Sequence, residues 1–282
     1  MQSTLPQNPV EIRISNRTFQ KKPLSVEDLE KISSILSKSE KQAGPFGNHF
    51  RFELLIETEE IKNSKIGTYG FIKNPRGYII SKSRNETKCL FDYAFILETI
   101  ILDLTALEIG TCWLGGRFKK QEAMSHLSMK GNEIIPAITP VGYPAENQRF
   151  KERMIKSILG ARKRKSEDEI FYYATFGEAL GKRAPEFQKA LHYVRVGPSA
   201  QNKQPWRLVF SSDLTQVHFY VTAPLADHPL YMCEPQYLDI GIAYKHFEVG
   251  LDETGITGEL VIDEPNIENP DGLTYVVSWQ RR

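Results

Sequence analysis

Apolar residues recur along this chain at two different spacings, which predict helices and strands. Leu29 to Leu36 has helical spacing, and Ser25 before it is a suitable N-cap. Phe50 to Glu57 alternates apolar and polar residues, as a half-buried strand does. Lys88 to Ile109 is apolar on most sides and predicts a long buried helix. We expect that helix to end at Gly110, because glycine favours helix termination.

The second half of the chain repeats the order of elements in the first half. Gly44-Pro45 returns as Gly197-Pro198, an offset of 197 − 44 = 153 residues, and each pair follows a helix and precedes a strand. The helix starting near Asp92 has a counterpart starting near Asp239, an offset of 239 − 92 = 147 residues. A last strand, Leu273 to Trp279, corresponds to a predicted strand at Ile134 to Tyr143. We therefore predict two related halves, residues 1–165 and 166–282, in one compact unit.

Composition excludes several classes of protein. The 282 residues are 40% apolar and 25% charged, which suits a sizeable core. The net charge of +1 argues against a dedicated nucleic-acid binder. Acidic residues interrupt the most apolar stretch, so it is not a membrane span. Three widely spaced cysteines and an N-terminus without an apolar core predict a cytoplasmic protein without disulfides. The histidines have no metal-ligand spacing.

Residues 197–206 combine a tight turn, a hydroxyl, two amides and an aromatic ring. A pocket for a flat heterocycle needs this mixture, because amides bind its polar edge and a short Ser-Ala backbone permits close approach. The alternative is a helix-to-strand turn in which Asn202 and Gln204 satisfy backbone groups. The residue types alone leave both interpretations open.

Two segments of the first half contain residues that suit a bound ligand. Arg13, Ser15 and Arg17 alternate, so an extended chain would point all three to one side. Two guanidinium groups flanking a hydroxyl suit a phosphate, although a solvated basic edge strand is the commoner meaning of this pattern. Gly115-Gly116, after an apolar run, permits close approach of a ligand to the backbone, or simply forms a turn.

These segments together resemble the nitroreductase-like flavoproteins. The most specific match is Pro198-Ser199-Ala200-x-Asn202-x-Gln204-Pro205-Trp206. The arm Arg13-Ile14-Ser15-x-Arg17, the stretch Ile109 to Gly116 and the sequence Gly142-Tyr143-Pro144-Ala145 match in the same order. The resemblance covers most of the chain, and its fused form is similar to the so-called TM nitroreductase branch.

The resemblance implies an α+β, nitroreductase-like fold and an FMN cofactor. In the family, the N-terminal arm binds the FMN phosphate and ribityl chain, a backbone N–H of the glycine turn faces flavin N5, and a basic pair closes around the phosphate. The late loop reaches over the flavin from the other subunit of a dimer. The corresponding residues here are Arg13, Ile14, Ser15 and Arg17; Leu114, Gly115 and Gly116; Arg162 and Arg164; and Pro198, Ser199, Ala200, Asn202 and Gln204.

The two halves have kept complementary parts of this pattern. The first half has the arm, the glycine turn and the basic pair, whereas its own loop is reduced to Gly44-Pro45-Phe46-Gly47-Asn48. The second half has the intact loop and no arm. We therefore predict a monomeric, single-chain pseudo-dimer with one FMN, and leave its further association open.

The implied reaction is hydride transfer from NADH or NADPH to FMN, followed by reduction of an electron-poor small molecule such as a nitro compound or quinone. The cofactor carries this chemistry, so we assign no catalytic side chain and no metal. A non-catalytic FMN storage or sensor protein is the main alternative. Nucleic-acid binding by the arm and the basic run 162–165 is a further one, against which the net charge argues, and a specialised flavin reaction such as reductive dehalogenation is not distinguished. We expect no membrane partner.

Overall fold

The computed structural model describes residues 8–56, 70–145, 164–222 and 231–282, which form two compact units. Unit one contains residues 8–145 of this set together with 231–233. Unit two contains residues 164–222 and 234–282. Both units mix helices and strands, as the α+β prediction requires.

Unit one has four helices among the described residues: α1 (Pro9–Ile12), α2 (Val26–Lys41), α3 (Thr87–Ala106) and α4 (Lys120–Ser125). The Ser25 side chain accepts a hydrogen bond from Asp28 N at 3.1 Å, which confirms the predicted N-cap of α2. Helix α3 ends at Ala106 and not at Gly110, so the predicted end was wrong. Glu108 has a left-handed φ of 59°, which turns the chain out of the helix before the glycine is reached.

The strands of unit one are short: β1 (Glu53–Ile56), β2 (Gly77–Ile80), β3 (Ser83–Arg84), β4 (Glu133–Ile134) and β5 (Thr139–Val141). Strands β1, β2 and β5 form an antiparallel sheet in that order, and β3 pairs with β4. The single strand predicted from Ile134 to Tyr143 is thus divided into two. Pro136 lies between them and has no N–H to donate to a sheet.

Unit two is built around a larger sheet. Its helices are α5 (Gln188–Val196) and α6 (Pro235–Thr254), and its strands are β6 (Phe171–Tyr173), β7 (Trp206–Phe210), β8 (Gln216–Thr222), β9 (Gly258–Val261) and β10 (Leu273–Arg281). The strand order is β6-β7-β8-β10-β9, with β6 parallel to β7 and the other pairs antiparallel. Helix α6 begins at Pro235, four residues before the predicted start at Asp239.

The order of elements predicted to repeat does repeat. Strands β7, β8 and β10 follow one another antiparallel in unit two, as β1, β2 and β5 do in unit one. In each unit a helix precedes the first of these strands, and a 20-residue helix, α3 or α6, precedes the last. Among the described residues, no helix has both the length and the apolar character needed to cross a bilayer.

An aromatic cluster forms the core of unit two. Phe187 packs against Phe210 with 5.2 Å between ring centroids, and Phe247 packs against Trp279 at 5.7 Å. Helices α5 and α6 approach so closely that a Cβ added at Gly250 would lie 2.3 Å from Ala190 Cα. The absence of a side chain at Gly250 therefore allows the two helices to lie this close together.

We expect Gly250→Ala to destabilise the protein by about 1–3 kcal/mol or more, because the added methyl group meets backbone that has no room to move. Gly177→Ala is the matched control. Gly177 is exposed, and a Cβ there would meet only Thr175 Oγ1 at 3.9 Å. Urea denaturation of both variants measures the effect, and equal stabilities would show that the helix contact is not tight.

Candidate functional site

The N-terminal arm lies beside the segment that leads into the glycine turn. Ser15 forms a parallel bridge with Thr111, and Asn16 N donates to Thr111 O at 2.7 Å. Leu114, three residues further along, exchanges backbone hydrogen bonds with Ile138 at 3.0 and 2.9 Å. Unit one therefore brings together two of the sequence segments that were predicted to bind the cofactor.

Arg13 faces the interior of unit one and not solvent. It is 5% exposed, and its Nε lies 3.8 Å from Glu98 Oε1 on the buried helix α3. The other oxygen of Glu98 accepts a hydrogen bond from Trp113 Nε1 at 2.6 Å. Because a buried carboxylate already balances its charge, Arg13 stabilises the arm and the Trp113 segment. Arg13 is thus buried whereas Arg17 is exposed, although their alternation predicts that both point to one side.

Arg17 is exposed, and so is a second arginine that the sequence analysis missed. The guanidinium groups of Arg17 and Arg117 each lie 5.1 Å from the centroid of the Phe71 ring. Within the described part of the chain, no carboxylate forms an ion pair with either of them. Stacking on one ring holds two positive charges near each other without neutralising them, which suits an anionic ligand.

The glycine turn presents partly exposed backbone next to a tyrosine. Leu114 is buried in the core of unit one, whereas Gly115 and Gly116 are partly exposed. A Cβ built on Gly115 would lie 3.3 Å from a ring carbon of Tyr231 and 3.8 Å from Pro136 O. Tyr231 is far away in sequence, and no local pattern indicated it. Ile14, also predicted as a contact, is half-buried, and its carbonyl accepts a hydrogen bond from Asn16 Nδ2 at 3.2 Å.

The loop of unit two has an unusual backbone. Gln201, Asn202 and Gln204 have positive φ values of 51°, 58° and 49°. A left-handed conformation costs roughly 1–2 kcal/mol at each residue with a side chain. Such strain persists only where surrounding contacts hold it, and it is concentrated at functional sites in proteins.

Two side chains of the loop hold its own backbone. Gln204 is 2% exposed, its Oε1 accepts a hydrogen bond from Lys165 N at 2.9 Å, and its Nε2 donates to Asn202 O at 3.1 Å. Ser199 Oγ accepts a hydrogen bond from Gln204 N at 2.9 Å. For Gln204 the structure thus agrees with the turn interpretation. Asn202 is exposed, and Pro198, Ser199 and Ala200 are partly exposed.

Arg164 also belongs to the frame of this loop. Its guanidinium donates to Gly197 O at 2.6 Å and to Val196 O at 2.8 Å, at the end of α5. A cation is favourable there because the last carbonyls of a helix carry partial negative charge. Arg162, its predicted partner, lies outside the described residues.

A buried carboxyl on the long helix of each unit binds the loop of that unit. Asp239 Oδ1 on α6 accepts a hydrogen bond from Ala200 N at 2.9 Å. Asp92 on α3 accepts three, from Phe46 N at 2.9 Å, Asn48 N at 3.0 Å and Asn48 Nδ2 at 2.8 Å. Burial raises the pKa of both carboxyls, and that of Asp239 reaches about 8 although the Ala200 hydrogen bond lowers it. The sequence paired these two aspartates as counterparts but gave them no role.

Comparison with known proteins now identifies the family. The family model described as "Putative TM nitroreductase" matches residues 7–251. The chain belongs to this family. Membership of this family supports an oxidoreductase activity for the protein. Within the described residues, no group of three or more His, Cys, Asp or Glu side chains could hold a metal ion.

The similarity to a solved structure with a TM-score of 0.61 shows the same fold, and further solved structures match parts of the chain. A nitroreductase from Thermotoga maritima, itself described as putative, matches 100% of this chain and 96% of its own at 19% identity, with a TM-score of 0.61. An FMN-dependent nitroreductase from Clostridium difficile matches 49% of this chain and 87% of its own at 19% identity, with a TM-score of 0.41. A Bacteroides fragilis nitroreductase with bound FMN matches 49% and 87% at 18% identity, with a TM-score of 0.39. No match was found among curated proteins.

The raised pKa of Asp239 predicts a specific pH dependence of stability. Between its ordinary value of 3.8 and about 8, the folded protein keeps the carboxyl protonated while the unfolded chain loses the proton. Stability contributed by this group therefore falls as pH rises through that range. We expect Asp239→Asn, which does not titrate, to gain in free energy of unfolding over the wild type between about pH 4 and pH 8.

Urea denaturation across that pH range measures the difference. Asp213→Asn is the control, because Asp213 is exposed and hydrogen bonds from Ser211 and Thr215 lower its pKa to about 2. The difference between this control and the wild type should stay constant from about pH 4 to pH 8. A constant difference for Asp239→Asn as well would contradict the raised pKa.

Proposed function

We propose that this protein is an FMN-dependent oxidoreductase of the nitroreductase family. It would take hydride from NADH or NADPH and reduce an electron-poor small molecule such as a nitro compound or a quinone. Membership of the family supports the class of reaction. The observation that carries the proposal is the position of the arm beside the segment leading to Gly115-Gly116, with the exposed guanidinium of Arg17 at its end.

The residues present fit the chemical groups of FMN. A phosphate needs cations that are not already neutralised, and Arg17 and Arg117 supply them, whereas Arg13 is balanced by Glu98. The partly exposed backbone of Gly115 and Gly116 leaves room for a ring to approach, because neither residue has a side chain. Bound FMN would supply the hydride chemistry, which no amino-acid side chain can provide.

Each group of residues then has a separate role in the proposal. Arg17, with Arg117, would bind the phosphate, and Ser15 would donate to the chain that links phosphate and ring. The backbone of 114–116 would line the ring, with the Gly115 N–H as a donor to its edge. The exposed Asn202 would supply the amide of the late loop, whereas Gln204 and Ser199 would fix the shape of that loop.

The other expectations drawn from the sequence remain predictions. They are the division at residue 165, the monomeric pseudo-dimer, one FMN per chain, a cytoplasmic location and the absence of a nucleic-acid or membrane partner. The use of NADH or NADPH and the electron-poor acceptor are equally part of the proposal. The flavin content of the purified protein tests the proposal most directly.

We expect the purified protein to be yellow, with about one FMN per chain, and we expect NADH or NADPH to bleach it under anaerobic conditions. The visible spectrum and the flavin released on denaturation measure both. Bound FMN that nicotinamides do not bleach would favour the storage or sensor alternative. Two flavins per chain would contradict the single site, and no binding of added FMN would overturn the proposal.

We expect Arg17→Ala to weaken FMN binding by about 10- to 100-fold, since a hydrogen bond to a charged group contributes roughly 1.5–3 kcal/mol. Riboflavin, which has no phosphate, is the control ligand and should bind wild type and variant equally. Because Arg17 is exposed, stability should change little. Quenching of flavin fluorescence measures both affinities, and an equal loss for riboflavin and FMN would show that Arg17 does not bind the phosphate.

A further inference from the structure

We infer that Asp239 is a positioning residue, which holds the loop 198–204 in the shape that binds FMN. This inference rests on the proposed function, because it assigns Asp239 a role in the same site. Asp239 would not touch the cofactor, and it would act through Ala200.

Contacts with residues outside the loop must hold its strained backbone in place. Three of its residues, Gln201, Asn202 and Gln204, have left-handed backbone that their side chains disfavour. The hydrogen bonds of Ser199 and Gln204 connect the loop to itself and to Lys165. The Ala200–Asp239 hydrogen bond, 2.9 Å long, instead connects the first turn of the loop to the long helix α6.

Asp239 is poorly suited to a role in stability alone, because burying a carboxyl is unfavourable. The residue is 4% exposed, and Ala200 N is the one hydrogen-bond donor that the described residues give its carboxyl. Burial of this carboxyl lowers stability as pH rises, because the unfolded chain loses the proton first, and an amide that does not titrate could accept from the same N–H. The placement therefore favours a role in the geometry of the loop over a role in stability.

The first half of the chain contains a natural control. Asp92 occupies the equivalent place on α3 and binds the loop 44–48 through three hydrogen bonds. Gly44 is required there, because a Cβ on it would lie 2.4 Å from Asp92 Cγ. That loop has lost the Pro-Ser-Ala-x-Asn sequence, so Asp92 performs the same anchoring without the proposed contact to FMN.

The experiment compares Asp239→Ala, Asp239→Asn and Asp92→Ala in the full chain. Hydrogen exchange of the apoprotein, followed by mass spectrometry, measures how firmly the segment 197–205 is held. Titration with FMN measures the affinity. We expect Asp239→Ala to speed exchange in that segment at least about tenfold and to raise the Kd for FMN about tenfold, as loss of one buried acceptor implies.

The conservative variant and the control should behave differently. Asp239→Asn keeps the acceptor for Ala200 N, so exchange and Kd should stay within about threefold of wild type. Asp92→Ala should speed exchange in 44–50 only, and its Kd for FMN should also stay within about threefold. A merely structural role would make Asp92→Ala, which loses more hydrogen bonds, the weaker FMN binder of the two alanine variants.

Ala200→Pro provides a second route if Asp239→Ala does not fold. Ala200–Asn202 is a single turn of 3-10 helix, and Ala200 is its first residue. Proline at that position removes the N–H and fits the extended backbone of Ser199, which has φ −148° and ψ 160°. It should reproduce the loss of FMN affinity with Asp239 intact.

Three results would overturn the inference. FMN affinity could be unchanged in Asp239→Ala, or Asp239→Asn could bind as weakly as Asp239→Ala. The third result is a wild-type protein that binds no FMN. That result would overturn the proposed function as well, and the wild type alone is enough to detect it. The exchange data on the apoprotein still show in that case whether Asp239 holds the loop.

Discussion

One buried carboxyl on each long helix determines the shape of the loop that precedes the sheet in its unit. Backbone N–H groups removed from water need acceptors, and a carboxylate on a neighbouring helix can supply several. Asp92 accepts three hydrogen bonds from its loop, and the absence of a side chain at Gly44 allows the close approach. Asp239 makes the equivalent contact with Ala200. The two halves are therefore similar in the way a buried carboxyl binds the loop, as well as in the order of their elements.

The difference between the two loops is as informative as their similarity. The loop of unit one satisfies its carboxyl well and needs left-handed backbone only at Gly47, where φ is 84°. The loop of unit two leaves its carboxyl with fewer donors and bends three residues with side chains into the left-handed region. Strain of this kind lowers stability, and in proteins it is concentrated at functional sites.

Charge compensation distinguishes the arginines of the arm. A motif of alternating arginines does not indicate which of them is free for a ligand, because that depends on the carboxylates that fold beside it. Glu98 lies on α3, far from Arg13 in sequence, and the folded chain places the two side chains 3.8 Å apart. Arg17 instead stacks on Phe71, as does Arg117. The electrostatic potential at the candidate phosphate site thus depends on which side chains the fold places beside each arginine.

The class of fold, the long helices and the repeated order of elements could be predicted from the amino-acid sequence, because apolar periodicity and glycine-proline turns are local signals. Its motifs also indicated the family. It could not determine where α3 ends, since the left-handed turn at Glu108 precedes the glycine that local preference would use. The folded chain was needed to show that Glu98 balances the charge of Arg13 and that Gln204 binds backbone groups. It was also needed to show that Arg117, Tyr231 and Asp239 lie beside the predicted segments. Burial and charge pairing join residues distant in the chain, and no local pattern records those contacts.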